Sequence, residues 1–163
     1  MLAAGGADGV CYVARDWIDG DFHWSPPVLE HAGVVAAHPK APPVNDLRDL
    51  AGRPLGTVYA YRYTQFEREL GPQFLRDDAP SMLINLRKLA AHRTDYALTE
   101  LITLEYHNKL HPKDGLKAAL HTIRYRTHCA FTLAHALPLE RLDQAIKDMV
   151  RDGSVERILA RYR

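Results

Sequence analysis

The sequence predicts an α/β protein built largely on a parallel sheet, and three observations carry that prediction. The first is a repeated phrase. Leu2-Ala3-Ala4-Gly5-Gly6-Ala7-Asp8-Gly9-Val10-Cys11-Tyr12-Val13 returns at the same spacing as Leu89-Ala90-Ala91-His92-Arg93-Thr94-Asp95-Tyr96-Ala97-Leu98-Thr99-Glu100. Each copy reads as the last turn of a helix, a polar turn closing on Asp, and a short apolar strand, so one structural unit is used twice. The second observation is a strand, helix, helix, strand series between Pro54 and Thr99, the order that favours parallel pairing. The third is bulk: 163 residues with 47% hydrophobic and 25% charged suffice for one sizeable domain or two small lobes.

The elements follow in order. Gly9 to Ala14 reads as a strand and Asp16 to Asp21 as a polar excursion. Phe22 to Val28 is extended, because the residue before each proline avoids the helical region. Gly33 to His38 reads as a buried strand that runs into the Pro-rich stretch Pro39 to Pro43, the best boundary in the chain. Asn45 or Asp46 caps a short helix over Asp46 to Leu50, and Gly52 ends it before a strand at Pro54 to Tyr59.

Thr64-Gln65-Phe66-Glu67 has the form of a capping box and starts a helix that either ends at about Leu70 or resumes briefly after Gly71-Pro72. Ser81 caps the next helix, with Leu83, Leu86 and Ala90 on one face, which delivers the chain into a strand at Tyr96 to Thr99. Leu101 to Leu110 reads as helix and Ile123 to Leu133 as strand. Pro138 opens a helix carrying Leu139, Leu142, Ile146, Met149 and Val150, closed by Asp152-Gly153. Ser154 caps a final helix with Val155, Ile158, Leu159 and Tyr162. Both last stripes read as core-forming.

Charge excludes several classes of function. Lys and Arg number 21 against 20 Asp and Glu, a formal +1, which is no footprint for nucleic acid or an acidic membrane. No stretch has the length of an apolar membrane span, and Met1 to Tyr12 lacks the basic start and long apolar core of a signal peptide. Cys11 and Cys129 each sit in an apolar run and read as small buried hydrophobes rather than as the halves of a disulfide. The nine histidines have no ligand spacing, so no metal site and no cofactor is expected.

The ordered set Asp46-Leu47-Arg48-Asp49-Leu50-Ala51-Gly52-Arg53-Pro54-Leu55-Gly56-Thr57-Val58, then Leu89 to Glu100, then Leu142-Asp143-Gln144-Ala145-Ile146 through Arg151-Asp152-Gly153-Ser154-Val155 to Tyr162, resembles the bacterial extracellular solute-binding proteins of family 3. These are the type II periplasmic binding proteins that supply ABC transporters with amino acids and similar small polar solutes. Phe22-His23-Trp24-Ser25-Pro26-Pro27 is similar to the family's segment before the hinge. The resemblance implies a two-lobe architecture with lobe 2 complete and lobe 1 truncated at its N-terminus. Residues 1–38 would form part of lobe 1, 39–133 lobe 2 with hinge crossings at both ends, and 134–163 helices packing on lobe 1. Met1 would then be an internal methionine, and the family's aromatic ligand sandwich would lie in the missing part.

The same resemblance implies a ligand set. Glu100 matches the position where the family places an acid on the ligand's amino group, and a carboxylate at a cleft edge gives an ammonium a charge-assisted hydrogen bond. Tyr61-Arg62-Tyr63-Thr64 matches the turn that offers N–H groups and small hydroxyls to the ligand's carboxylate just before a helix. Here two tyrosines and an arginine replace the small residues, and Tyr61 or Tyr63 serves either to stack on a ligand or to pack. Tyr12 and Arg15 occupy the place of the ligand-contacting strand end, with Arg15 standing in for the family's later arginine.

The function implied is binding of a small, amino-acid-like solute, with an ABC transporter permease as partner and the periplasm as location. Two alternatives accompany it: a dehydratase on the same fold using Glu100 with Arg15 or Arg62 as its acid-base and carboxylate-binding pair, and a sensor or interaction domain. The truncation also permits a homodimer that covers the exposed edge.

Overall fold

The computed structural model describes residues 6–134 and 136–163. The helical turn that the sequence places at Leu2 to Gly5, and His135, lie outside the described residues. The chain divides into two compact units, one comprising the chain up to His31 together with Arg124–Arg161, the other Ala32–Ile123 with Tyr162–Arg163. The unit limits fall inside two strands, β3 (Leu29–Ala37) and β7 (Lys117–Phe131), which run from one unit into the other.

The Ala32–Ile123 unit contains β4 (Pro54–Val58), α1 (Thr64–Leu70), β5 (Leu75–Ala79), α2 (Met82–Ala90), β6 (Tyr96–Glu100) and α3 (Leu101–Leu110). Its strands lie in the order β3-β6-β4-β5. β4 is parallel to both β5 and β6, while β3 is antiparallel to β6 with Val35 opposite Leu98. Two apolar clusters cover the sheet's faces. Val35, Ala37, Leu55, Tyr96 and Leu98 meet Leu50 from the 3-10 turn Leu47–Leu50 and Phe66 and Leu70 from α1. On the other side Val34, Ala36 and Ala97 meet Leu86 and Leu89 of α2 and Leu104 of α3. This alternation of odd and even strand residues is the pleat at work.

The other unit contains β1 (Gly9–Val13), β2 (His23–Trp24), α4 (Leu139–Arg151) and α5 (Ser154–Leu159), with β1 and β2 both antiparallel to the end of β7. Its buried side chains are small or polar: Ala14, Ser25, His31, Thr127, Cys129, Ala130 and Thr132. So thin a core has a covalent supplement. Cys11 and Cys129 are directly opposed in the β1–β7 register and form a disulfide, against the sequence reading of two buried thiols. Cys129 is buried but Cys11 is exposed on β1, and a pair 118 residues apart in sequence is invisible to local patterning.

Several expected boundaries shift, each for a physical reason. β5 is an additional strand, unread because Leu75-Arg76-Asp77-Asp78-Ala79 lies at the sheet edge and buries only Ala79. β7 begins at Lys117 rather than Ile123. α1 starts at Thr64 as expected, but its N-cap is Tyr63, and Glu67 Oε1 accepts the Tyr63 N–H at 3.3 Å. The expected box is thus reduced to its glutamate half, because Thr64 already lies inside the helix. Ser81 caps α2 as read, accepting from the Ile84 N–H. The buried face of α2 is Asn85, Leu86 and Leu89, however, and Leu83 points outward, 50% exposed. α5 begins at Ser154 after an N-cap at Gly153, and Asp152 Oδ1 accepts the Ser154 N–H at 2.8 Å.

The largest correction concerns the last two helices. Neither α4 nor α5 has a buried residue, and Met149, Val150 and Ile158 are exposed. Their stripes are amphipathic but only partly covered, with Leu139, Leu142, Ile146, Val155 and Leu159 half-buried.

Candidate functional site

In an open α/β sheet the chain can leave neighbouring parallel strands towards opposite faces, and a crevice opens beyond their carboxyl ends at that point. β4 and β6 are such a pair. They pair side by side, with Leu55 beside Tyr96 and Gly56 beside Ala97. The chain leaves β4 for α1, whose Phe66 and Leu70 lie on one face, and leaves β6 for α3, whose Leu104 lies on the other. Carrying the register forward puts Val58 level with Thr99. The loop Tyr59 to Tyr63 and the residue Glu100 therefore emerge together, and the topology brings Tyr61, Arg62, Tyr63, Thr64 and Glu100 to one edge.

The β4 loop is held from beneath. Ala60 has φ 63, in the left-handed region, and the Tyr61 N–H closes the turn on the Val58 carbonyl at 3.2 Å. The Val58 N–H donates to Tyr63 Oη at 2.9 Å. Arg76 on the edge strand β5 donates from Nη2 to the Val58 carbonyl and from Nη1 to the Tyr61 carbonyl, both at 3.0 Å. Its guanidinium lies 5.2 Å from the centroid of the Tyr63 ring. Arg76 is fixed in turn by Asp78 Oδ1, which accepts at 2.8 Å from Nη2 and also takes the buried Thr57 hydroxyl at 2.7 Å. Burial alone would raise the Asp78 carboxyl; the Thr57 hydroxyl and Arg76 outweigh it and hold it below the usual range.

Tyr61 and Tyr63 therefore have different surroundings. Tyr63 is partly buried beside Phe74 and Arg76, and burial pushes its phenol up to about 12. Tyr61 is 55% exposed, its ring 6.5 Å from that of Tyr63. Arg62 and Thr64 are exposed. Glu100 is partly buried opposite Gly33, and as N-cap of α3 it makes no side-chain bond to the helix's first N–H groups.

Tyr12 and Arg15 belong to the other unit and are described there. Tyr12 has φ 68, where β1 slips register against β7, and its hydroxyl lies 3.4 Å from His31 Nδ1. The His31 ring stacks on Tyr125, which meets Trp17 edge-on. Arg15 lies over Trp24 at 5.6 Å. Sequence reading missed Thr57, Arg76, Asp78 and the Tyr12-His31-Tyr125-Trp17 cluster. The alternation of Arg76 and Asp78 on an edge strand was the one available signal for the first group; the cluster joins residues far apart in the chain and had none.

No protein-family model and no curated protein sequence matches the chain. Solved structures do. An ancestral arginine-binding protein bound to glutamine is similar at TM-score 0.79 and 18% identity, covering 99% of this chain and 73% of its own. The arginine-, lysine-, histidine-binding protein ArtJ from the thermophilic bacterium Geobacillus stearothermophilus is similar at TM-score 0.76 and 17% identity, covering 99% and 71%. The periplasmic VFT2 domain of Bordetella pertussis BvgS is similar at TM-score 0.76 and 17% identity, covering 99% and 70%. The chain therefore has the type II periplasmic-binding-protein fold, as its sequence resemblance implied, and the first two of these neighbours are binding proteins rather than enzymes.

Proposed function

We propose that this chain binds a small polar, amino-acid-like solute without transforming it, as the recognition component of an ABC-type uptake system working in the periplasm with a permease. The observation that carries this reading is the convergence of the Tyr61 to Thr64 loop and Glu100 at the switch point between β4 and β6. Such a place gives a solute two unlike faces. Glu100 takes an ammonium, and Arg62 with the Thr64 hydroxyl takes a carboxylate through charge-assisted bonds. Tyr12 and Arg15 are proposed as further solute contacts. Two neighbours of this fold are an arginine-binding protein and an arginine-, lysine-, histidine-binding protein, so cationic amino acids head the candidates.

The test is calorimetric titration of the chain with the common amino acids and polyamines. Saturable binding at micromolar concentrations that weakens at least about tenfold in Glu100→Gln supports the reading, since a charge-assisted bond is of that size. A panel with no binding at millimolar concentration would sink it.

We also propose a homodimer, because β1 and the stripes of α4 and α5 leave Val10, Met149, Val150 and Ile158 exposed. Light scattering behind size exclusion decides this, and a monodisperse monomer removes it.

A further inference from the structure

The loop between β4 and α1 is shaped by a residue that belongs to neither element. Arg76 stands on the edge strand β5, yet its guanidinium forks onto that loop, Nη2 donating to the Val58 carbonyl and Nη1 to the Tyr61 carbonyl, both at 3.0 Å. These two carbonyls flank Ala60, whose φ of 63 a residue with a side chain holds only where its surroundings impose it. The peptide between Tyr61 and Arg62 is trans, so its N–H points opposite to its carbonyl. A Tyr61 carbonyl committed to Arg76 therefore turns the Arg62 N–H away from β5, and the other neighbour of β4 is β6. Two carboxylates offset the guanidinium's charge. Asp78 Oδ1 accepts from Nε at 3.1 Å and from Nη2 at 2.8 Å, and Glu67 Oε1, which takes the Tyr63 N–H, lies 4.0 Å from Nη1. What Arg76 gives the loop is thus shape more than field.

We propose that Arg76 is a positioning residue for recognition of the solute's carboxylate. Without touching solute itself, it fixes the Tyr61 to Thr64 backbone so that Arg62 and the Thr64 hydroxyl are presented to that group. The proposal rests on the solute-binding reading and deepens it by naming what sets the preference for a carboxylate. Asp78 and the buried Thr57 hydroxyl, bonded at 2.7 Å, hold the guanidinium in register with the loop. Lysine cannot take its place: an ammonium keeps the charge but lacks the planar fork that reaches two carbonyls at once.

The experiment compares Arg76→Lys with the native 163-residue chain by calorimetric titration with arginine and with agmatine, which is arginine without its carboxylate. The expected result is that arginine weakens about tenfold in the variant, the size of a lost charge-assisted hydrogen bond, while agmatine changes by less than about twofold. Amide hydrogen exchange reads the loop without a ligand. The Tyr61 N–H should exchange about tenfold faster in Arg76→Lys, with the β6 amides unchanged, which also shows that the variant folds. Equal losses for arginine and agmatine overturn the proposal while the solute-binding reading stands. So does unchanged arginine affinity, or an unchanged exchange rate at Tyr61. If the native chain binds arginine and ignores agmatine, the loss of arginine with unchanged β6 exchange supports the proposal. A native chain that binds neither overturns it, and the wider panel then decides the solute-binding reading.

Discussion

Asp8 and Asp95 perform the same task in two different units. The Asp8 carbonyl accepts the N–H of Thr132, the residue just past the end of β7, at 3.0 Å; the Asp95 carbonyl accepts the N–H of His38, the residue just past the end of β3, also at 3.0 Å. The strands that follow agree over their first three residues, before β1 slips register at Tyr12. Gly9 pairs with Phe131 as Tyr96 pairs with Ala37, and Cys11 faces Cys129 where Leu98 faces Val35. The repeated phrase in the sequence is therefore a repeated antiparallel pairing, used once with a disulfide across it and once with a buried apolar pair.

That disulfide should dominate the stability of its unit. It closes a loop of 118 residues, and in the chain-entropy account such a crosslink is worth about 3–5 kcal/mol. Thermal unfolding with and without dithiothreitol, and of Cys11→Ser/Cys129→Ser, should show a lower transition in both reduced and mutant chains. Equal melting temperatures would mean that the crosslink does not constrain the unfolded chain.

Gly56 on β4 packs directly against Asn85 of α2. A Cβ there would lie 2.4 Å from Asn85 Oδ1 and 3.0 Å from the Ala97 Cβ. Asn85 is fully buried and its Nδ2 donates to the Leu98 carbonyl, so it has nowhere to move. Gly56→Ala should cost about 1–3 kcal/mol by overpacking, measured by urea unfolding. An unchanged midpoint would show that α2 can shift.

Tyr63 should ionise late. Burial raises its phenol to about 12 against an ordinary 10, so the folded state holds the proton more tightly than the unfolded chain. The stability this gives is complete below pH 10 and is lost as pH rises from 10 through 12. An absorbance titration of phenolate should show a late step that Tyr63→Phe removes. The same variant leaves the Val58 N–H unpaired, at a cost of about 1–3 kcal/mol.

His38 should make the fold sensitive to mild acid. Its ring stacks face to face on His92 at 3.9 Å, and its Nδ1 accepts the Lys40 N–H. Burial, then the His92 and Lys40 charges, lower its pKa below the ordinary 6.5, and Asp95 only partly opposes them. A base with a lowered folded pKa contributes stability that is present above the unfolded value and is lost as pH falls below it. The melting temperature should therefore drop between pH 7 and pH 5 more in the native chain than in His38→Gln. Parallel curves would refute this.

Much of the chain around the carboxyl ends of β4 and β6 was legible. Ser81, Leu101 and Leu110 bound their helices where the pattern placed them, since caps and apolar periodicity are local signals. Tyr61 to Thr64 and Glu100 were named through the family resemblance, and each stands where a strand hands over to a helix. Arg76 and Thr57 were not, because their roles depend on β5 lying beside β4, a pairing of residues about twenty apart.

By itself the sequence determined the repeat, the alternation of strand and helix, and the residues at the ends of β4 and β6. These follow from periods of two and 3.6 and from capping chemistry, which act within a few residues. Only the tertiary structure decided what each face meets: that Cys11 reaches Cys129, that Tyr63 turns inward while Tyr61 stays out, and that the stripes of α4 and α5 are only half-buried. A hydrophobic pattern states which side of an element is apolar. Whether that side is covered depends on contacts between residues distant in the chain, which the pattern of one segment does not contain.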